Sequence, residues 1–159
     1  MSPVAHLSTN KELIISIAAD HRGFKLKEKI KAFLLSGRSG VSCKVKDEGS
    51  FSEDPADYPD FAKIVAGNVS AQKSQFGVLV CGSGIGTSIA ANRFRRVRAA
   101  LCRTIEETAL SRAHNNANVL VLGSGIENDS QLVEGILKTF FTTQFEGGRH
   151  QRRVEKIDE

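Results

Sequence analysis

The stretch VLVCGSGIGTSI, residues 78–89, places an apolar run directly before a cysteine and a loop with glycine at three alternate positions. The apolar run is typical of a buried strand, and the glycines allow the backbone to turn sharply from that strand into a helix. A turn of this kind leaves several backbone N–H groups pointing into one space, where they can bind an anion. The stretch therefore predicts a strand, an anion-binding loop and a helix, in that order.

The same alternation recurs along the rest of the chain. Five short apolar runs are predicted as strands, at 13–19, 41–47, 76–81, 97–102 and 118–123. Helical spacing of apolar residues is found between and after them, at 23–37, 57–72, 86–94, 104–115 and 130–144. Most strand runs are apolar on both faces, as in a covered parallel sheet, whereas 41–47 is mixed and fits an edge. We predict a three-layer αβα sandwich with a five-stranded parallel sheet, Rossmann- or flavodoxin-like.

Length and composition indicate one domain, residues 12–159, after an N-terminal extension, residues 1–11, that is expected to be disordered and contains His6. No apolar run approaches the roughly 20 residues of a membrane span, and the start lacks a secretion signal. The three cysteines have no disulfide or metal spacing, so free thiols, no metal and a cytoplasmic location are expected.

The net charge of +4 comes largely from two basic clusters, NRFRRVR at 92–98 and GRHQRRVEK at 148–156. Nucleic-acid binding would favour aromatic residues interleaved with these bases, but aromatics make up 6% of the chain and Trp is absent. The second cluster is short and better suited to one phosphate group. We therefore expect a small anionic ligand, and neither nucleic acid nor membrane as a partner.

Polar side chains cluster near three of the predicted strands. Asp20 and His21 close the first strand, Cys81 closes the third, and His114 and Asn115 precede the fifth. We expect them to meet at the carboxyl edge of the sheet, where ligands bind in such folds. The spacing GxGxG after the third strand matches neither a dinucleotide fingerprint nor a P-loop, so no nucleotide cofactor is predicted.

Each of these residues also has a purely structural interpretation. Cys81 is either a small core residue or a thiol whose pKa is lowered by the loop amides, whereas Cys102 fits a core position and Cys43 has no predicted role. The pair Asp20 and His21 could form only a turn, and His114 could only end a helix. Arg149 and Arg153 lie four residues apart and could hold one phosphate together, or could belong to a solvated tail.

Six segments together resemble the ribose-5-phosphate isomerase type B family, which also includes galactose-6-phosphate and allose-6-phosphate isomerases. They are AADHRGFKLKEKI, DYPDFAKIVA, VLVCGSGIGTSIAANRF, RAALC, AHNNANVLVLG and FEGGRHQRRVEKI, and the likeness spans about residues 12–157. The resemblance implies a cofactor-independent aldose–ketose isomerase that acts on a sugar phosphate. It also implies a homodimer or tetramer with sites completed across the interface.

The resemblance further implies roles for individual residues. Cys81 would be the proton-abstracting base, His114 would open the sugar ring, and Ser83 would add a hydroxyl to the pocket. Arg149 and Arg153 would hold the phosphate. The predicted substrate-binding set comprises Asp20, His21, Tyr58, Gly82, Gly84, Ile85, Gly86, Asn115, Arg149 and Arg153, with the loop from Gly82 to Gly86 as the anion hole.

Thr87 stands where relatives that lack the cysteine carry a glutamate base, which indicates the cysteine-base type. Two features depart from the usual family pattern. Gly125 replaces the usual arginine after the fifth strand, and Arg103 and Arg112 are the candidates to compensate for it. The segment SGRSGVSC is longer than usual and is expected to form a surface loop.

The sequence thus predicts interconversion of D-ribose 5-phosphate and D-ribulose 5-phosphate. The alternatives are isomerisation of another aldose phosphate such as allose 6-phosphate, and a non-catalytic protein that binds a sugar phosphate or nucleic acid.

Overall fold

In the computed structural model, residues 11–159 are described, so the predicted extension lies outside the described residues except for Lys11. Strands and helices alternate along this range as the sequence predicts. The strands are β1 Leu13–Ala19, β2 Cys43–Asp47, β3 Phe76–Cys81, β4 Ala99–Leu101 and β5 Val119–Gly123. The helices are α1 Phe24–Leu35, α2 Tyr58–Ser70, α3 Ile85–Ala91, α4 Ile105–Ala113, α5 Ser130–Thr142 and α6 Arg149–Asp158, with a 3₁₀ turn at Ser124–Ile126.

The five strands form one parallel sheet in the order β2-β1-β3-β5-β4. The predicted αβα sandwich with a five-stranded parallel sheet is confirmed, as is the edge position of β2. The order follows the flavodoxin-like pattern for the first three strands, and then β5 lies inside β4. Strand β4 is shorter than the predicted run 97–102, because only its residues 99–101 pair with β5.

The two faces of the sheet bury separate apolar clusters. Residues of α1 and α5, among them Ile30 and Phe140, pack on one face against alternate residues of β1, β3 and β5. Residues of α2 and α3, such as Val65 and Ala91, cover the other face. Helix α4 packs beside α5. Within residues 11–159 the helices are all too short or too polar to cross a bilayer.

The helix boundaries differ from the predicted ones at two places. Helix α3 ends at Ala91 rather than Phe94, because the Asn92 side chain bonds the backbone N–H and C=O of Ala99 and turns the chain into β4. Helix α6 is not among the predicted helices, since the tail is strongly polar. Asp158 near its end accepts two hydrogen bonds from the Arg98 guanidinium, at 2.8 and 2.7 Å, and this ion pair fixes α6 to the start of β4.

Candidate active site

Cys81 ends β3 at the carboxyl edge of the sheet, where the chain enters the glycine loop. Its side chain is only 4% exposed, yet it belongs to neither apolar cluster. The backbone N–H of Gly84 donates a hydrogen bond to its Sγ at 3.1 Å. Gly84 has φ of +78°, and a side chain there would collide with Leu101. The glycine is therefore needed to aim this amide at the sulfur.

Asp20 and His21 lie beside Cys81 because β1 neighbours β3, and the N–H of Asp20 bonds the carbonyl of Val80. The Oδ1 of Asp20 accepts from the amides of Arg22 and Gly23, both at 3.0 Å, so this carboxylate does shape the turn into α1. The amide of Ala56 donates to Nδ1 of His21 at 3.1 Å. The carbonyl oxygen of Ala56 lies 3.2 Å from the same nitrogen, so Nδ1 accepts from the amide in one tautomer and donates to the carbonyl in the other. In both tautomers Nε2 is the nitrogen left for a ligand.

The loop from Gly82 to Gly86 is enclosed by side chains from other elements. A Cβ placed on Gly86 would come within 2.5 Å of the Tyr58 ring, and one on Gly82 within 2.8 Å of the Arg22 guanidinium. The Oγ of Ser83 accepts from the amide of Ile85 at 3.2 Å. The structure thus brings together one group, here called the carboxyl-edge cluster: Asp20, His21, Tyr58, Cys81 and the loop 82–86.

A second group of predicted residues lies at the end of α4 and the start of α6. The rings of His114 and His150 stack with centroids 4.2 Å apart and an angle of 7° between planes. The carboxylate of Glu146 lies 3.7 Å from Nε2 of His114 and 3.6 Å from Nε2 of His150. Burial lowers the pKa of His150, and the charges of His114 and Arg149 lower it further. We call this the amino-edge cluster: His114, Asn115, Glu146, Arg149, His150 and Arg153.

The expectation that His114 and Asn115 meet Cys81 at one edge is wrong within a single chain. Arg112, in the last turn of α4, lies over the ring of Phe76, 5.1 Å from its centroid. Phe76 begins β3 and Cys81 ends it, which separates them by about 16 Å. The reason is that α4 runs antiparallel to the strands, so that its end returns to the edge where strands begin. The two clusters therefore lie at opposite edges of the sheet.

Two surface cavities occur at the amino edge. One of about 530 Å³ is lined by Arg98, Asn118 and Asp158. Another of about 230 Å³ is lined by Asn115, Arg98 and Ile157. Neither includes a residue of the carboxyl-edge cluster, so neither by itself forms a complete site around the thiol.

The amino-edge cluster could in principle hold a metal ion, since ligand atoms of His114, Glu146 and His150 lie within 4.8 Å of one another. An imidazole binds a metal in the plane of its ring, about 2.0–2.1 Å from the nitrogen for zinc. Because the two rings are stacked and nearly parallel, their lone pairs cannot converge on one ion at that distance. The arrangement suits two histidines sharing one carboxylate.

Arg112 cannot take the place of the arginine that is missing at position 125, because its side chain is already held by other residues. It lies partly buried against the rings of Phe76 and Phe140 and donates to the side chain of Asn116 and the carbonyl of Ala117. Burial and the nearby Arg98 lower its pKa to about 10. Arg103 is exposed beyond β4, with its backbone N–H held by Glu107. Gly125 itself is exposed, with nothing within 4 Å of an added Cβ.

Sequence reasoning missed Arg22, which contacts the carboxyl-edge cluster at Gly82, and missed Glu146 and His150 of the amino-edge cluster. Arg22 directly follows the Asp20–His21 pair, and His150 lies inside the basic run 148–156 that was assigned to phosphate. Both signals were present in the sequence. Glu146 carried no distinguishing pattern, because it is placed by the bond from its backbone N–H to the carbonyl of Ala113.

A thiol, an imidazole and an amide-rich loop at the carboxyl edge of a parallel sheet define an α/β protein that binds a small anionic ligand. The sequence model described as Ribose/Galactose Isomerase matches residues 15–157, and the chain belongs to that family. The predicted family is confirmed.

Individual relatives agree along nearly the whole chain. Ribose-5-phosphate isomerase B of Escherichia coli is 43% identical over 143 residues, covering 90% of this chain and 93% of the relative. The crystal structure of a ribose 5-phosphate isomerase from Thermotoga maritima has a TM-score of 0.85 at 48% identity, covering 93% of this chain and 99% of the other. The Mycoplasma genitalium ribose-5-phosphate isomerase B with bound ribulose-5-phosphate has a TM-score of 0.83 at 40% identity, covering 94% and 96%.

Proposed function

We propose that this chain interconverts D-ribose 5-phosphate and D-ribulose 5-phosphate by proton transfer through an enediolate. The observation that carries the proposal is the hydrogen bond from the Gly84 amide to the sulfur of Cys81, at the edge that also holds His21 and Tyr58. A near relative of known structure holds ribulose-5-phosphate. An amide donor stabilises a thiolate relative to a thiol, which suits a cysteine that acts as a base.

In the proposed reaction the Cys81 thiolate removes the proton from C2 of the open-chain aldose. The electrons of that C–H bond form a double bond between C1 and C2, and the carbonyl electrons move to O1. The thiol then delivers the proton to C1, while the hydroxyl proton of O2 passes to O1 and leaves a ketone at C2. One base therefore moves the proton between two neighbouring carbons, without a net change in oxidation state.

The loop amides and Ser83 would stabilise the enediolate oxygens, at about 3 kcal/mol for each well-placed donor. His114 would assist the opening of the furanose ring. Nε2 of His21, Arg149 and Arg153 would hold the phosphate and keep the reacting carbons in register, so that remote binding energy lowers the barrier. These roles come from the family resemblance, and the exposed positions of Arg149 and Arg153 four residues apart on α6 support them.

A complete site then requires a second copy of the chain. The amino-edge cluster supplies His114 and the arginines, but it lies at the edge of the sheet where β3 begins, whereas the thiol of the same chain lies where β3 ends, about 16 Å further along the strand. Helix α3 exposes Ile85 by 50% and Ile89 by 62%, one turn apart beside the carboxyl-edge cluster. Such an apolar strip favours contact with a partner. A homodimer is the smallest assembly that joins the two clusters, and a tetramer of such dimers joins them equally well.

All three cysteines are free, including the partly buried Cys43. Unpaired thiols are usual in a reducing compartment. We therefore assign the protein to the cytoplasm.

A second substrate is favoured by one observation, the open space at Gly125. No atom lies within 4 Å of a Cβ built at this position, so a longer sugar phosphate has room there. Isomerisation of a hexose phosphate such as allose 6-phosphate is the alternative.

Turnover in D₂O tests both the reaction and the substrate. With D-ribose 5-phosphate, we expect ribulose 5-phosphate that carries deuterium at C1, because the thiol exchanges its proton with solvent during the enediolate stage. The parallel reaction with D-allose 6-phosphate is expected to be slower. Faster turnover of the hexose phosphate would establish the alternative, and turnover of neither sugar would contradict the proposed function.

A further inference from the structure

Arg22 places a positive charge directly on the glycine loop, at a position to which the proposed reaction assigns no role so far. Its Cζ, Nε and Nη1 would lie 2.8, 2.9 and 2.9 Å from a Cβ built on Gly82. The guanidinium thus lies against the residue that follows Cys81. Its own backbone N–H is bonded to Asp20, so that the turn holds the base of the side chain in place.

The charge of Arg22 is not neutralised by the protein. Two other arginines of the described residues form ion pairs, Arg38 with Glu134 and Arg98 with Asp158. No carboxylate among residues 11–159 comes within ion-pairing distance of Arg22, which is exposed. An exposed guanidinium lying between His21 and an amide-rich loop attracts an anion to that spot.

The turn after β5, which carries position 125, contacts the same glycine. The backbone N–H of Ser124 donates to the carbonyl of Gly82 at 3.1 Å, which joins the turn after β5 to the loop. Gly125 follows in open space and carries no side chain. Arg22 and the turn that carries position 125 therefore both contact Gly82, and of the two positions only Arg22 has a cationic group.

We propose that Arg22 is a substrate-binding residue that contacts the phosphate of the sugar phosphate, and that it supplies the guanidinium that position 125 lacks. This inference rests on the proposed function. It adds a cation beside the carboxyl-edge cluster to those that α6 of the second copy contributes. Arginine suits the role because its planar fork can donate two parallel hydrogen bonds to phosphate oxygens.

The test compares Arg22→Gln with wild type on D-ribose 5-phosphate, together with competitive inhibition by inorganic phosphate. We expect the KM and the inhibition constant for phosphate each to rise about ten- to a hundredfold, as for the loss of a charged hydrogen bond, with little change in kcat. Arg38→Gln removes the same charge from an exposed arginine of another surface and is the matched control. The KM and the phosphate inhibition constant of Arg38→Gln should both equal those of the wild type.

A rescue variant separates a binding role from a structural one. In Arg22→Gln/Gly125→Arg the new Cβ lies in open space, and phosphate affinity should recover at least in part. The inference would be overturned if kcat of Arg22→Gln fell while its KM and phosphate inhibition constant stayed unchanged. It would also be overturned if kcat, KM and the inhibition constant all matched the wild type. Loss of activity in the wild type would instead count against the proposed function. Phosphate binding by the wild type and Arg22→Gln, measured by calorimetry, would then still decide the role of Arg22.

Discussion

The amide of Gly84 points at the sulfur of Cys81 from 3.1 Å, so the strand that ends in the thiol and the helix that follows it are joined by that contact. Buried cysteines elsewhere in the chain have a different environment. Burial raises the pKa of Cys102, against hydrogen bonds with Thr108 and Ser111. The two thiols are both buried, but only Cys81 faces a loop of backbone donors.

Cys81→Ala should lower kcat for ribose 5-phosphate isomerisation by at least about a hundredfold, because the base that moves the proton is gone. The fold and phosphate binding should remain, since alanine fits where cysteine does. A coupled assay measures kcat, and circular dichroism measures the fold. Cys43→Ala is the control, with kcat expected to match wild type; near-wild-type activity in Cys81→Ala would remove this residue from catalysis.

Mixing two inactive variants tests whether sites are shared between copies. Cys81→Ala and His114→Ala alter different clusters, so a mixed dimer keeps one intact site. After subunits are exchanged at equal amounts, about a quarter of wild-type activity should appear, because half of the dimers are mixed and each has one of two sites.

The control for this mixing is Cys81→Ala with His21→Ala, both in the carboxyl-edge cluster. No mixed dimer of that pair has an intact site, so the mixture should stay inactive. Recovery with this pair, or none with the first, would show that the clusters do not combine as proposed.

Arg153→Gln should raise the KM for ribose 5-phosphate about ten- to a hundredfold through the loss of a charged hydrogen bond to phosphate. Arg152→Gln is the control, because it removes the same charge about 100° away around α6. Its KM should change much less. Steady-state kinetics distinguish the two variants, and equal effects would indicate general attraction by the basic tail instead.

The buried Lys27 makes stability depend on Asp47. Its side chain is 0% exposed, and its Nζ donates to Asp47 at 2.8 Å and to the carbonyl of Ser50 at 2.6 Å. Desolvation opposes ionisation of Asp47, but hydrogen bonds from Lys27 and Lys31 outweigh it and lower the pKa of the carboxyl. Asp47→Asn would leave the buried Lys27 with only the more exposed Glu28, 3.3 Å away, as a counter-charge, at a cost of about 3 kcal/mol at neutral pH.

The pH dependence of this effect has a definite sign. Because the folded-state pKa of Asp47 is lowered, its stabilisation is complete above the unfolded value of about 3.9 and is lost as pH falls through the folded value. Urea unfolding should show the two proteins converging in strong acid. Glu12→Gln, in an exposed pair with Lys44, should cost less than about 1 kcal/mol. A constant difference down to pH 2 would contradict the assignment.

The alternation of strands and helices could be predicted because buried parallel strands such as β3 are apolar along their whole length. The members of the carboxyl-edge cluster could also be predicted, since Asp20 and Cys81 both lie at strand ends. The direction of α4 was not taken into account in the sequence-based prediction. A helix after β4 must return to the start of β5, which carries His114 to the far edge.

Other features depend on tertiary contacts that no local pattern encodes. Helix α6 has only His150 and Val154 buried, and the pair Arg98–Asp158 links residues 60 positions apart. The contact of Arg22 with Gly82 likewise joins β1 to the loop after β3. Such contacts follow from the strand order, which places β3 between β1 and β5.

The opposed positions of Cys81 and His114 also constrain symmetry. If each edge contacted only the unlike edge of the next copy in a head-to-tail manner, the copies would form a ring or an open filament. Closure as a dimer requires a two-fold axis that turns the second copy upside down, so that both contacts form in the same pair. The two sites of a dimer would then form together and be lost together. Specific activity would fall on dilution at the concentration where the two copies separate.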